Sequence, residues 1–194
     1  APKLVAAFDG AEARVRSVAC AAEHTAVADS DGCLWTFGRG HIGHGAFSLA
    51  QVTPRRIVAP SVSDMLLGAD TFVQVSCGLE HTAAVTDHGR LYTWGVGSVG
   101  QLGHPGTASE PTPRMVAALA DSSVSQVACG RYHTAALTSR GELLTWGEGR
   151  DGALGHDQHQ SSALGHDQFY VPSHTWEPRA VQLPAGGAWP RVVE

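Results

Sequence analysis

Three stretches of this chain carry the same eight residues at the same offsets, and no gap is needed to superimpose them. They are CAAEHTAVADSDGCLWTFG (Cys20 to Gly38), CGLEHTAAVTDHGRLYTWG (Cys77 to Gly95) and CGRYHTAALTSRGELLTWG (Cys129 to Gly147). In each, the shared positions hold Cys, His, Thr, Ala, Gly, Leu, Thr and Gly. A period of roughly 50 to 60 residues is that of propellers and solenoid arrays, in which one repeat cannot bury its own apolar face and its neighbours supply the cover. The function of such a chain has to be sought on an assembled surface.

Each repeat reads as short strands separated by turns. Val73, Val75 and Cys77 alternate with Gln74 and Ser76, the period of a half-buried strand, and Val18/Cys20 and Val127/Cys129 repeat the pattern. The following His-Thr-Ala segment ends at Ser30-Asp31-Gly32, Asp87-His88-Gly89 or Ser139-Arg140-Gly141, where a fixed Gly suits a hairpin turn. Leu-x-Thr-aromatic-Gly, over Leu34 to Gly38, Leu91 to Gly95 and Leu143 to Gly147, reads as the returning strand. No apolar period of 3.6 residues is sustained, so the chain is expected to be all-β.

The register divides residues 1–194 into repeats at about 9–59, 60–119 and 120–184, with the start of a further one at 191–194. Pro2 to Phe8 matches Pro113 to Leu119, and Arg191 to Glu194 aligns with Arg14 to Ser17. The expectation is a portion of a larger array, of the propeller or the solenoid kind. From the closing Gly to the next Pro-Arg pair the distance is 16, 18 and 31 residues, which marks a surface loop. In the third repeat that loop contains GALGHDQ and then SALGHDQ, a near-duplication within an insertion spanning 157–174.

Composition narrows the function classes. With 43% hydrophobic and 16% charged residues the chain can build a core. Its formal charge of −5 gives no basic footprint for direct nucleic-acid binding. No apolar run reaches the ~20 residues of a membrane-spanning helix. Cys20, Cys77 and Cys129 hold one repeat position and are expected to be buried free thiols, while Cys33 stands where Arg90 and Glu142 do and is expected to be exposed. Unpaired thiols imply a reducing, intracellular setting.

The pattern CGxxHTAAL, a Gly turn, LxTWGxGxxGxLGH and then PR resembles the repeats of the regulator of chromosome condensation family. Cys77 to His104 and Cys129 to His156 carry it best. The first copy departs: Ala21 stands for Gly78 and Gly130, Phe37 for Trp, and RGHIGHGA (Arg39 to Ala46) lacks the Gln-Leu-Gly of Gln101 to Gly103. The resemblance implies an all-β partial propeller, about three blades of a seven-bladed one, each of four antiparallel strands, with the remaining blades coming from the same or another chain. It also implies protein partners, among them a small GTPase, because the founding member accelerates nucleotide exchange on one and docks on nucleosomes. The ultraviolet-sensing plant branch of the family would want Trp between Gly and His, where Leu79 and Arg131 stand.

Recurrence disposes of most tempting chemistry. Gly38 to Gly43, Gly95 to Gly100 and Gly147 to Gly152 each satisfy G-x-G-x-x-G, but the dinucleotide fingerprint needs a helix opening at that loop and none is predicted. One histidine per repeat (His24, His81, His133), each followed by Thr, fits a structural role satisfying backbone groups within its blade better than a convergent metal site. Cys20, Cys77 and Cys129, those histidines, and Gly38, Gly95 and Gly147 are accordingly assigned to the scaffold. The insertion offers His156, Asp157, His159, His166, Asp167 and His174, in a spacing that fits no recognised metal site. Trp94, Trp146 and Phe37 are expected in blade packing; Trp35, Trp176 and Trp189 fall outside the pattern. No catalytic residue, cofactor or metal is expected.

What varies beside fixed neighbours is the pair before each His: Ala22-Glu23, Leu79-Glu80 and Arg131-Tyr132. Glu23, Leu79, Glu80, Arg131 and Tyr132 are therefore the candidate partner-binding residues, Arg and Tyr being enriched in binding hot spots. The reading is a non-enzymatic interaction scaffold or regulatory module within a larger assembly. The alternatives are guanine-nucleotide exchange with chromatin association, and a targeting module of a ubiquitin ligase, kinase or ciliary protein. Cytoplasm, nucleus and cilium are not separated by the sequence.

Overall fold

A computed structural model of the chain describes residues 3, 5, 8, 14–57, 70–156 and 174–182. Among them are three four-stranded antiparallel sheets, each running in chain order from inner to outer strand. Blade 1 holds β1 (Val15–Cys20), β2 (His24–Asp29), β3 (Leu34–Gly40) and β4 (Ser48–Arg56). Blade 2 holds β5 (Phe72–Cys77), β6 (His81–Thr86), β7 (Leu91–Gly95) and β8 (Glu110–Met115). Blade 3 holds β9 (Val124–Cys129), β10 (His133–Thr138), β11 (Leu143–Glu148) and β12 (His174–Ala180). The family architecture expected from the repeat is thus present as three blades. No described helix is long and apolar enough to cross a membrane.

Each seam between blades has its own core. Between blades 1 and 2, Ala26, Leu34, Ile57, Phe72, Val75, Tyr92 and Trp94 pack together. Between blades 2 and 3, Val85, Leu91, Val116, Leu119, Val124, Val127 and Trp146 do the same. Each indole is fully buried and belongs to the later blade of its seam. Ala at β2, β6 and β10 keeps the sheets close enough for the Trp to reach across. Burying one such side chain removes an area whose transfer is worth about 3 kcal/mol.

Blade 2 shows why simple alternation fails here. Every residue of β6 and β7 is buried, since a blade lies against each face. On β5 the polar residues of the alternation, Gln74 and Ser76, are used at the next seam. The Gln74 amide pairs with both backbone groups of Val127, at 3.1 and 3.0 Å, and Ser76 Oγ accepts from the Cys129 N–H at 2.9 Å. Ser17 Oγ likewise accepts from the Val75 N–H at 3.1 Å.

The thiols depart from the expectation of uniform burial. Cys77 and Cys129 are half-buried, their Sγ atoms turned toward the carbonyls of Ala19 and Ser76 on the preceding blade. Cys20 is exposed, because no described blade lies against that face of β1. Val18 is 60% exposed for the same reason, whereas its counterparts Val75 and Val127 are buried. Cys33 is only half-buried, its N–H donating to Asp29 Oδ1 in the β2–β3 turn. All four are free. Most of the 157–174 insertion, Trp189 and residues 191–194 lie outside the described residues.

Candidate functional site

Two of the three histidines, His24 and His81, join one blade to the next, a correction to the expectation that each acts within its own blade. His24 Nε2 meets Thr82 Oγ1 at 2.8 Å, and His81 Nε2 meets Thr134 Oγ1 at 2.9 Å. The hydroxyl hydrogen of Thr134 goes to the Gln101 carbonyl at 2.8 Å, so Thr134 accepts from His81 and the ring proton sits on Nε2. His81 Nδ1 is then bare, buried and without a partner among the described residues. Burial pushes its pKa down to about 3, helped by His24 and His133. A ring held neutral in this way joins blades and performs no acid–base work near neutral pH. His133 is half-buried on the outward face of blade 3.

A second clamp explains the Thr of Leu-x-Thr-aromatic-Gly. Thr36, Thr93 and Thr145 donate to the carbonyls of Ile42, Leu102 and Leu154, each at 2.6 Å, and accept from Nε2 of His44, His104 and His156, each at 3.0 Å. His156 is therefore held by its own blade, and it meets the Arg179 carbonyl at 3.3 Å. Asp157, His159, His166 and Asp167 lie outside the described residues, and of His174 only its place at the start of β12 is described.

The Gly-rich loops open no α-helix among the described residues; β11 is succeeded by a three-residue 3-10 turn, Arg150–Gly152. Their first glycines have a local reason. Gly95 lies at φ +111°, and a Cβ there would fall 2.4 Å from the Glu80 carbonyl oxygen. Gly38 and Gly147 stand in the same relation to Glu23 and Tyr132. That close approach lets the N–H groups of Arg39, Val96 and Glu148 donate to the carbonyls of Glu23, Glu80 and Tyr132 at 2.8, 2.9 and 2.9 Å.

The variable pairs thus rest on a backbone fixed identically in all three blades. Glu23, Leu79, Glu80, Arg131 and Tyr132 lie in the β1–β2, β5–β6 and β9–β10 turns, at one end of the blades. The Leu79 N–H donates to the Arg131 carbonyl at 3.1 Å, tying the turns of blades 2 and 3 together. Arg131 is exposed, with its guanidinium carbon 5.1 Å from the centre of the Tyr132 ring. Glu23, Leu79 and Glu80 converge on a cleft of about 80 Å³ between blades 1 and 2, together with His24, Arg39, Gly40, His41, Phe47 and Val96. Arg131 and Tyr132 do not line it. Sequence reasoning missed Arg39, His41, Phe47 and Val96; the altered loop RGHIGHGA was a signal for Arg39 and His41, and Phe47 and Val96 had none.

Another cluster escaped notice, in which Asp70, Asp87 and His88 bring ligand atoms within 4.8 Å of one another. Asp70 is already committed, to Arg90 Nη1 at 3.0 Å and to the Tyr92 hydroxyl at 2.7 Å. The Arg90 guanidinium opposes a second cation there.

The Regulator of chromosome condensation (RCC1) repeat matches residues 31–85 and 88–137, and a second form of it matches 72–101 and 124–153. The chain belongs to the RCC1 repeat family. Each longer match begins at a β2–β3 type turn and ends in the second strand of the next blade, so the RCC1 sequence unit straddles a seam. The Arabidopsis thaliana ultraviolet-B receptor UVR8 is 38% identical over 154 residues, 79% of this chain and 33% of that protein. The human E3 ubiquitin-protein ligase HERC2 is 34% identical over 162 residues, 80% of this chain and 3% of HERC2. The chain therefore spans a third or less of these relatives. In fold it is similar to yeast RCC1 (Prp20) in the crystal structure with Kap60, with TM-score 0.69 and 18% identity over 89% of this chain and 38% of that one. A structure of Prp20p from Saccharomyces cerevisiae gives TM-score 0.63 at 20% identity, over 84% and 35%.

Proposed function

We propose that this RCC1-repeat segment is a non-catalytic scaffold that binds other proteins through the turn end carrying Glu23, Leu79, Glu80, Arg131 and Tyr132. The observation behind this reading is a contrast between backbone and side chain. The same hydrogen bonds fix the three turns, while the residues they present change from acidic, to apolar and acidic, to basic and aromatic. A rigid platform with exchangeable side chains gains contacts at little cost in ordering entropy. Arg131 and Tyr132, stacked on each other before any partner arrives, are pre-arranged in the same sense.

The blade histidines support the non-catalytic part, since His24 and His81 are engaged by threonines and their pKa values are lowered by burial. The similarity to HERC2 favours one specific setting, a targeting module within a ubiquitin ligase. The structural likeness to Prp20p, studied for its binding to Gsp1p and histones, keeps guanine-nucleotide exchange as the rival. The setting proposed for all three readings is intracellular.

Two assays separate them. Complexes captured by the tagged chain and identified by mass spectrometry should be lost with Arg131→Ala and Tyr132→Ala in a folded protein; complexes indifferent to both changes would remove the scaffold assignment. Accelerated nucleotide release from a small GTPase, if the chain produced it, would replace that assignment with the exchange reading.

A further inference from the structure

His104 lies nine positions after Gly95 and His156 nine after Gly147, but His44 lies only six after Gly38. All three histidines make the same clamp to threonine, so the loop of blade 1 is three residues shorter and His41 takes the place of Gln101. The difference is felt at the seams. Gln101 is buried, and its carbonyl receives both the Thr134 hydroxyl at 2.8 Å and Trp146 Nε1 at 3.0 Å, closing the seam between blades 2 and 3. Between blades 1 and 2, the matching Trp94 Nε1 is buried with no partner among the described residues, and so is His41 Nδ1. The shortened loop still lies against Trp94, since a Cβ on Gly43 would fall 3.1 Å from its Nε1, but it presents that N–H with no acceptor among the described residues, and the cleft of about 80 Å³ lies beside it.

We propose that this cleft receives the side chain of an arginine or lysine on a partner protein. The inference rests on the reading of the turn end as an interaction platform and names the chemistry recognised there. Leu79 and Val96 supply apolar lining for an alkyl stem, and the Phe47 ring, 50% exposed and edge-on to His41 at 5.3 Å, offers a face to a cation. The carboxylates of Glu23 and Glu80 supply the counter-charge. Glu23 lies 3.7 Å from Arg39, whereas Glu80 takes part in none of the ion pairs among the described residues and faces an incoming cation unpaired. An anionic group would meet two carboxylates and one guanidinium already engaged. The volume suits a single side chain, and a base or a helix would not enter it.

The test is a titration of the full-length, nitrogen-15-labelled chain, followed by NMR, with acetyl-Gly-Arg-Gly-amide and with its lysine, citrulline and glutamate counterparts. The Arg and Lys peptides should give saturable shifts at the Leu79, Glu80 and Val96 amides, and citrulline, which keeps the shape and loses the charge, should not. Glu80→Gln, an exposed change that leaves the fold intact, should weaken the Arg peptide about fivefold, the upper range of an exposed ion pair. Arg39→Ala releases Glu23 and should tighten it about twofold. Insertion of Ser-Val-Gly after Gly40 restores the loop length of the other blades and should abolish the shifts. Equal binding of citrulline, or an affinity unchanged by Glu80→Gln, overturns the proposal. Partner complexes that depend on Arg131 and Tyr132 without any Arg-peptide binding would sink this inference alone. Arg-peptide binding with no complex sensitive to those residues would uphold the cleft and refute the platform.

Discussion

The bare Nδ1 of His81 makes the seam between blades 2 and 3 sensitive to acid in a calculable way. In the unfolded chain this imidazole titrates near its ordinary value of 6.5, whereas in the folded chain burial lowers it to about 3. Between those values the unfolded state binds one more proton than the folded state, so stability rises with pH across the window and is fully present above 6.5. The slope is at most about 1.4 kcal/mol per pH unit, and the loss between pH 6.5 and 4 accumulates to about 3 kcal/mol. His24, His44 and His104 are lowered by burial too and add in the same direction. The perturbation is His81→Gln, whose amide can still donate to Thr134 but does not titrate. Urea unfolding followed by tryptophan fluorescence, with Trp94 and Trp146 in the two cores, should show the variant losing about 3 kcal/mol less than the parent between pH 7 and pH 4. Parallel pH profiles for the two proteins would refute the argument.

The seams and turns yield three further expected outcomes. Trp146→Phe should cost about 1 kcal/mol more than Trp94→Phe by chemical denaturation, because among the described residues Trp146 Nε1 has a hydrogen-bond partner, the Gln101 carbonyl at 3.0 Å, and Trp94 Nε1 has none. Gly95→Ala should destabilise by at least about 2 kcal/mol, since its φ of +111° and the nearby Glu80 carbonyl both resist a Cβ. Gly106→Ala, at φ +88° with nothing within 4 Å, should cost about half that in the same thermal melts. In native alkylation with iodoacetamide, the exposed Cys20 should react first, while Cys77 and Cys129, whose thiols burial raises to about 12, should react only on unfolding.

Much of the fold was legible because each repeat states it independently. The Gly of each β2–β3 type turn, the strand from His, and the strand ending in Trp-Gly or Phe-Gly all fall where the pattern puts them. The fourth strand of each blade was not legible. Pro54 in β4, Pro111 and Pro113 in β8, and Pro178 in β12 argue against a strand, yet these are outer strands with one described neighbour, where a missing N–H leaves no ladder bond unmade. Partners across the seams were equally hidden. The spacing of His81 and Thr134 carries no sign that they touch, and only the stacking of blades brings them to 2.9 Å.

The turn residues Glu23, Leu79 and Glu80 could be singled out by their variability alone. That they share a cleft could not, because its cause is three residues missing from a neighbouring loop. The shortening itself is written in the amino-acid sequence, in the number of positions from Gly38, Gly95 and Gly147 to His44, His104 and His156. What the short loop opens onto, Phe47 on the approach to β4, depends on how the blades pack.

The central claim is that one turn end, rigid in backbone and varied in side chain, binds protein partners. The most direct measurement compares the complexes formed by the parent chain with those of a variant carrying Glu23→Ala, Glu80→Ala, Arg131→Ala and Tyr132→Ala together, after circular dichroism and thermal melting have shown the same fold. The account predicts a folded variant that has lost the parent's partners. A folded variant that keeps all of them, with the same affinities, would contradict it.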